Sequence, residues 1–207
     1  MAGIIVKSCI VSTVNKKSTI LNVAHKQRLM NLKKILKMGC MKMSAKKVYL
    51  LSGIPGSGKS YWAHNVLMPQ CRTPKYISRD EVRFSIISDD DSYFAKEDEV
   101  FDVFVHRINL ALLDNDVSDV IIDATHLNEK SRMKVLNRIK HNNDIIIAVD
   151  FKTPLETCLD RNEKREGRAK VPRGVIRRMF YQHTSPKEDK FKYADVVELY
   201  NNNLEVT

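Results

Sequence analysis

The sequence predicts an α/β fold, a central parallel sheet flanked by helices. Two observations carry that expectation. Along residues 47–200, short apolar runs alternate with amphipathic stretches, the pattern left by strands joined through helical crossovers. The first apolar run ends in the glycine-rich stretch "GIPGSGKS" (53–60), a strand-to-helix turn whose backbone must curl in ways that side chains hinder.

Each element has its own justification. "KVYLLSG" (47–53) is a short apolar run closed by glycine and suits a buried strand. "SYWAHNVLM" (60–68) reads as helix and "PKYIS" (74–78) as a short strand. Over 98–113, Phe101, Phe104, Val105, Ile108, Ala111 and Leu112 recur at helical spacing and form one apolar face. "DVIID" (119–123) is a buried strand ending in a carboxylate, and "LNEKSRMKVLNRIKH" (127–141) is an amphipathic helix. "DIIIAVDF" (144–151) is a further strand. "PLETCLDRNEKR" (154–165) opens a helix with Pro154 near its start. "RGVIRRMFYQH" (173–183) is the next helix and "ADVVELY" (194–200) the last strand.

A chain of 207 residues suffices for one domain with a real core. No run of about 18 apolar residues occurs, so no membrane span is expected. Cys9, Cys40, Cys71 and Cys158 show no paired spacing, which argues against a disulfide framework or metal knuckle and for a reducing, cytoplasmic setting. The net charge of +10 is unevenly spread. Residues 1–47 hold eleven Lys/Arg and no acid, and the first acidic residue is Asp80. From residue 48 onward, 24 basic residues face 25 acidic ones. The basic excess therefore belongs to a segment over 1–46, set apart from a domain over 47–207. Three readings of that segment stand: a flexible arm that contacts phosphates, an organelle presequence with a single arginine, Arg28, or sequence upstream of a true start at Met41 or Met43. A short helix over Arg28–Lys37 fits any of them.

The chemistry concentrates in four stretches. Gly53, Gly58, Lys59 and Ser60 fit G-x-x-x-x-G-K-[ST] between a strand and a helix, the context of a phosphate-binding loop. Glycines there, Gly56 and Gly58 above all, let successive amides of the loop, Ser57 included, point at phosphate oxygens. Lys59 adds positive charge near the transferring phosphate, and the Ser60 hydroxyl can ligate Mg²⁺. A nucleoside triphosphate is the implied ligand. Asp123 ends a buried strand beside Thr125 and His126, placed to hold Mg²⁺ or substrate, or to cap the next helix. His126 reads as incidental. In "ISRDEVR" (77–83), Asp80 follows the second strand and can take a proton from an attacking hydroxyl. Arg83, three residues on, can grip an anion, unless Asp80 is a helix cap with an intrahelical pair. "DRNEKREGRAKVP" (160–172) gathers Arg161, Lys164, Arg165, Arg168 and Lys170 around a glycine between two helices. It is either a solvated charge run or a basic lid over a transferring phosphoryl group.

Together, "GIPGSGKSYWA", "SRDEVRFSI", "VIIDATHLN" followed by Arg132, and "RNEKREGRAKVPRGVIRRMF" resemble the kinase domain of bacteriophage polynucleotide kinase and its relatives in the P-loop kinase superfamily, over about residues 47–190. The resemblance implies a sheet of order 2-3-1-4-5 and an ATP- and Mg²⁺-dependent kinase. It implies Asp80 as general base and Arg83 on the acceptor's phosphate. It places Asp123, Thr125 and Arg132 with the substrate, and Ser60 and Asp123 with the metal. A lid arginine on the donor phosphates is also implied: Arg165, with Arg168 a rival because one extra residue precedes "AKVP". The acceptor implied is a DNA or RNA 5′-hydroxyl end. No DxDGT element of the bifunctional members occurs, so a kinase alone is expected. A small molecule or a nucleotide sugar, as for zeta-type toxins, is the alternative acceptor. An ATPase or switch without an acceptor is the remaining class. Oligomeric state is not legible.

Overall fold

Five parallel strands lie side by side in the order β2 (Pro74–Ser78), β3 (Asp119–Asp123), β1 (Lys47–Ser52), β4 (Ile145–Phe151) and β5 (Asp195–Leu199). This is the expected order, seen in a computed structural model that describes residues 45–88, 91–141 and 144–200. The expected basic segment, its helix over 28–37 and its internal start lie outside these residues. Lys46, assigned to that segment by sequence, belongs to the folded domain instead: it is buried, and its ammonium donates to the carbonyls of Asp114 and Val117.

Among the described residues, six α-helices connect the strands. They are α1 (Lys59–Trp62, running on through a π-turn to Leu67), α2 (Arg79–Ile86), α3 (Glu97–Leu113), α4 (Glu129–Leu136), α5 (Leu155–Glu163) and α6 (Arg173–Gln182). Local chemistry sets several ends. Ser78 Oγ accepts from Glu81 N and starts α2. Asn128 and Ser131 form a reciprocal capping box that starts α4 at Glu129.

Strand side chains alternate between faces. Leu50 and Ile122 face one layer, where Val82, Phe104, Ile108 and Leu136 of α2, α3 and α4 bury against them. Leu51 and Ile121 face the other, against Ala63 and Leu67 of the first helix. Phe104 and Ile108 are fully enclosed, each worth about 1.5–3 kcal/mol of apolar burial. Their i, i+4 spacing holds α3 down along one face. Ile54, Cys158, Leu159 and Ile176 form a third cluster, which ties the loop after β1 to α5 and α6. No helix among the described residues is long and apolar enough to cross a membrane, and Cys71 and Cys158 are free thiols.

The parallel register has one consequence for function. Leu51 and Ser78 both pair with Asp123, and Ser52 pairs with Asp150. The carboxyl ends of four strands therefore lie level, and the loops that leave them converge, as ligand sites do in sheets of this kind.

Candidate active site

The turn after β1 folds as its glycines demand. Gly56 has φ +83° and Gly58 φ +92°, in the left-handed region that favours glycine. A Cβ on Gly56 would lie 2.3 Å from the Cys158 carbonyl oxygen of α5. Hydrogen bonds fix the loop backbone from both sides. Gly53 N donates to Thr125 O at 2.9 Å, and Thr153 Oγ1 donates to Ser57 O at 2.9 Å. Lys59 is buried, and its ammonium donates to Gly53 O and Ile54 O at 2.9 and 3.0 Å. Burial lowers the Lys59 pKa; Asp123 and Asp80 oppose that fall and Arg165 adds to it. These four groups from four segments thus share one electrostatic neighbourhood.

Asp123, at the end of β3, accepts from Ser60 Oγ at 2.6 Å and from Tyr76 OH at 2.5 Å, both on Oδ2. Its carboxylate and the Ser60 hydroxyl are adjacent hard oxygen donors. No cluster of three or more His, Cys, Asp or Glu forms a metal cage among the described residues. Two protein oxygens fit Mg²⁺, which keeps waters and takes its remaining ligands from nucleotide phosphates.

Across the site stands Asp80, in the first turn of α2. It is no cap; Ser78 has that position. Arg83 Nη1 donates to Asp80 Oδ1 at 2.9 Å, so the intrahelical pair exists. Tyr93 OH donates to the same oxygen at 2.8 Å and accepts from Arg83 Nη1 at 2.9 Å. The Arg83 guanidinium lies over the Tyr93 ring, 4.3 Å from its centroid. Glu97 receives Arg83 Nη2 at 2.6 Å, and Arg79 pairs with it as well. The Asp80 side chain remains 63% exposed while that of Arg83 is 5% exposed. A carboxylate held by two donors on one oxygen and open to the cavity can accept a proton there.

Between α5 and α6 the basic run folds as a turn of 3₁₀ helix at Gly167–Ala169. Its two rival arginines point to different neighbours. Arg165 lies within electrostatic reach of Lys59. Arg168 donates to the carbonyls of Ile87 and Ser88 at 3.2 Å and stacks 4.9 Å from the Phe84 ring centroid. Arg161 reaches the loop itself, Nη1 to Gly56 O at 3.4 Å.

One cavity of about 890 Å³ joins these parts. Lys59, Ser60, Asp80, Arg83, Asp123, Thr125, Arg165 and Arg168 all line it. Arg132, expected with the substrate, does not. Its side chain is fully buried, with Nε and Nη2 on Asp189 and Nη1 on His126 O and Thr184 O. The guanidinium is committed to joining α4 to the segment before β5, which corrects that expectation. His126, read as incidental to the chemistry, does not line the cavity. It is buried at φ +41°, with Nδ1 2.7 Å from Leu51 O. Sequence reasoning missed Tyr76, Tyr93 and Glu97, which meet Asp123 and Arg83 from other elements at no fixed spacing.

A family model described as an AAA domain matches residues 48–186. The chain belongs to this AAA domain family. Solved structures of similar fold include one from the Pnkp1/Rnl/Hen1 RNA repair complex, at 24% identity and TM-score 0.60, covering 75% of this chain and 49% of that one. The Mycobacterium tuberculosis APS kinase CysC, in complex with AMPPNP and APS, matches at 20% identity and TM-score 0.51, covering 77% and 90%. Chaetomium thermophilum Kti12, in complex with ADP-AlF3, matches at 16% identity and TM-score 0.51, covering 76% and 91%. At these identities the likeness speaks for the fold, and the AAA domain described here has a P-loop kinase fold. The chain spans about half the length of the RNA-repair chain that it matches.

Proposed function

We propose that this protein is an ATP-dependent kinase that phosphorylates a hydroxyl acceptor, the 5′-hydroxyl of a polynucleotide. One observation carries the reading. A phosphate-binding loop and an exposed, hydrogen-bonded carboxylate, Asp80, open into a single cavity. A switch or simple ATPase has no use for the second feature.

The amides of the loop and Lys59 bind the β- and γ-phosphates, with Lys59 exchanging the Gly53 and Ile54 carbonyls for phosphate oxygens. Ser60 and Asp123 hold Mg²⁺, which supplies charge neutralisation at the phosphates. The acceptor hydroxyl lies at Asp80, whose carboxylate takes its proton as the oxygen attacks the γ-phosphorus. The bond from that phosphorus to the β,γ-bridging oxygen breaks, and ADP leaves. Arg165, on the Lys59 side, stabilises charge on the moving phosphoryl group. Arg168, on the α2 side, holds the lid against the acceptor-binding helix. Arg83 meets a phosphate next to the reacting hydroxyl, which exchanges for Glu97 on its guanidinium.

The test is transfer from labelled ATP to four acceptors: a 5′-hydroxyl oligonucleotide, a nucleoside 3′-phosphate, a plain nucleoside and a nucleotide sugar. Preference for the first two supports the reading. Equal use of the plain nucleoside, or preference for the nucleotide sugar, moves the acceptor to a small molecule.

A further inference from the structure

The near balance of charge beyond residue 48 conceals a local asymmetry. From Gly167 to Lys187 there are six Lys/Arg and no Asp or Glu. Most of this stretch is the basic turn and α6. Val175 and Met179, four apart on α6, line the cavity, and Ile176 beside them is buried. On the opposite flank of that cavity stripe, Gly174, Arg178 and Tyr181 recur at i, i+4 and i+7 and form one exposed stripe. Tyr181 is 80% exposed, a large aromatic left in water on a helix that also lines the cavity. Phe180 packs edge-on against it, ring centroids 5.7 Å apart. Arg173 is shared with Glu163, but Arg177 and Arg178 have no ion-pair partner among the described residues.

We infer that the Arg178–Tyr181 stripe of α6, with Arg177 on its shoulder, is a contact surface for single-stranded nucleic acid that leaves the acceptor end of the cavity. The inference rests on the kinase reading above for its direction, and on charge and exposure for its partner. Guanidinium groups serve the phosphates and the tyrosine ring serves a base, the pairing that binds single strands without regard to sequence. A double helix would present no base face to Tyr181. An acidic protein would gain from the arginines and little from an exposed ring. Val175 and Met179 bring the same helix to the cavity, so a strand whose terminal hydroxyl reaches Asp80 has α6 beside it for its following nucleotides.

The experiment measures binding of a fluorescent, single-stranded 5′-hydroxyl oligonucleotide of about 12 nucleotides, long enough to leave the cavity and cross α6, over a salt series. It compares wild type, Arg178→Ala/Tyr181→Ala, and Tyr181→Trp. The double variant is expected to bind about tenfold or more weakly. Its log–log salt slope should be flatter by about 0.7 for the lost phosphate contact. Tyr181→Trp is expected to retain affinity, because the stacking face survives. Transfer to a nucleoside 3′-phosphate, too short to reach α6, should be equal in all three. Equal oligonucleotide affinity in wild type and double variant overturns the inference. So does polyglutamate competing as well as the oligonucleotide at equal charge. A wild type that phosphorylates the oligonucleotide, with the double variant binding it equally well, sinks this surface alone. A wild type that binds the oligonucleotide yet phosphorylates nothing sinks the kinase reading alone.

Discussion

Ser60 and Asp123 are joined across the floor of the cavity, Ser60 Oγ donating to Asp123 Oδ2 at 2.6 Å. The pair links the start of α1 to the end of β3, so the loop's hydroxyl is aimed by a carboxylate that the sheet itself holds in place. Asp123→Asn keeps the shape and the bonds to Ser60 and Tyr76 but removes the charge. The Mg²⁺ concentration for half-maximal turnover is expected to rise about 10–100-fold, the usual cost of weakening a metal's surroundings. A Mg²⁺ titration of activity checks this, with the melting temperature expected to stay near that of wild type.

Gly56→Ala should be severe although it adds one carbon. The new Cβ meets backbone, the Cys158 carbonyl, and the residue must hold φ +83°. A loss of more than about 2 kcal/mol is expected, or about 4–8 °C in melting temperature, together with loss of ATP binding. Gly174→Ala on α6 is the control. Nothing lies within 4 Å of its added carbon, and a helical site gains about 0.5–1 kcal/mol from alanine. Calorimetry of the two variants separates a required glycine from a dispensable one.

The rival lid arginines are expected to differ in kind. Arg165→Ala should lower kcat far more than it changes either KM, by roughly 10³-fold if it meets the moving phosphoryl group. Arg168→Ala removes the hold on Ile87 and Ser88 and the stacking on Phe84. Its effect is expected mainly on acceptor KM. Steady-state kinetics with both substrates varied distinguishes the two patterns.

The alternation of strands and helices was legible because it rests on local periodicity, and the phosphate loop because eight adjacent residues carry it. Asp80 and Arg83 were legible because one helical turn brings them together. The rest of the site depends on pairings that no spacing rule foretells. Tyr93 and Glu97 reach Arg83 from 10 and 14 residues along the chain. Arg132 finds Asp189 from 57 residues away, so its place beside the motif residues suggested a ligand where the fold needed a buried tie. Lys46 closes a basic run in sequence, yet the Asp114 and Val117 carbonyls that receive its ammonium come from 68 and 71 residues away.

His126 gives the protein a predictable acid sensitivity. Burial takes its pKa from the ordinary 6.5 down to about 3, against the opposing pull of the bond between Nδ1 and Leu51 O. The folded state keeps the ring neutral, so this contribution to stability is fully present above pH 6.5. It is lost as pH falls from there toward 3, with a slope approaching about 1.4 kcal/mol per pH unit. His126→Asn, which tolerates the positive φ, should lose about one proton's worth of that slope. Denaturant unfolding between pH 4 and pH 7, in wild type and variant, measures it.

The central claim is that Asp80 serves the acceptor while the loop serves the donor, within one cavity. Asp80→Asn tests it most directly. The asparagine keeps the size and can still meet Arg83 and Tyr93, but it cannot take a proton. Transfer from labelled ATP to a 5′-hydroxyl oligonucleotide should fall about 10²–10⁴-fold. ATP affinity, measured on the same protein by calorimetry, should hardly change. An Asp80→Asn enzyme that transfers phosphate at the wild-type rate would contradict the account.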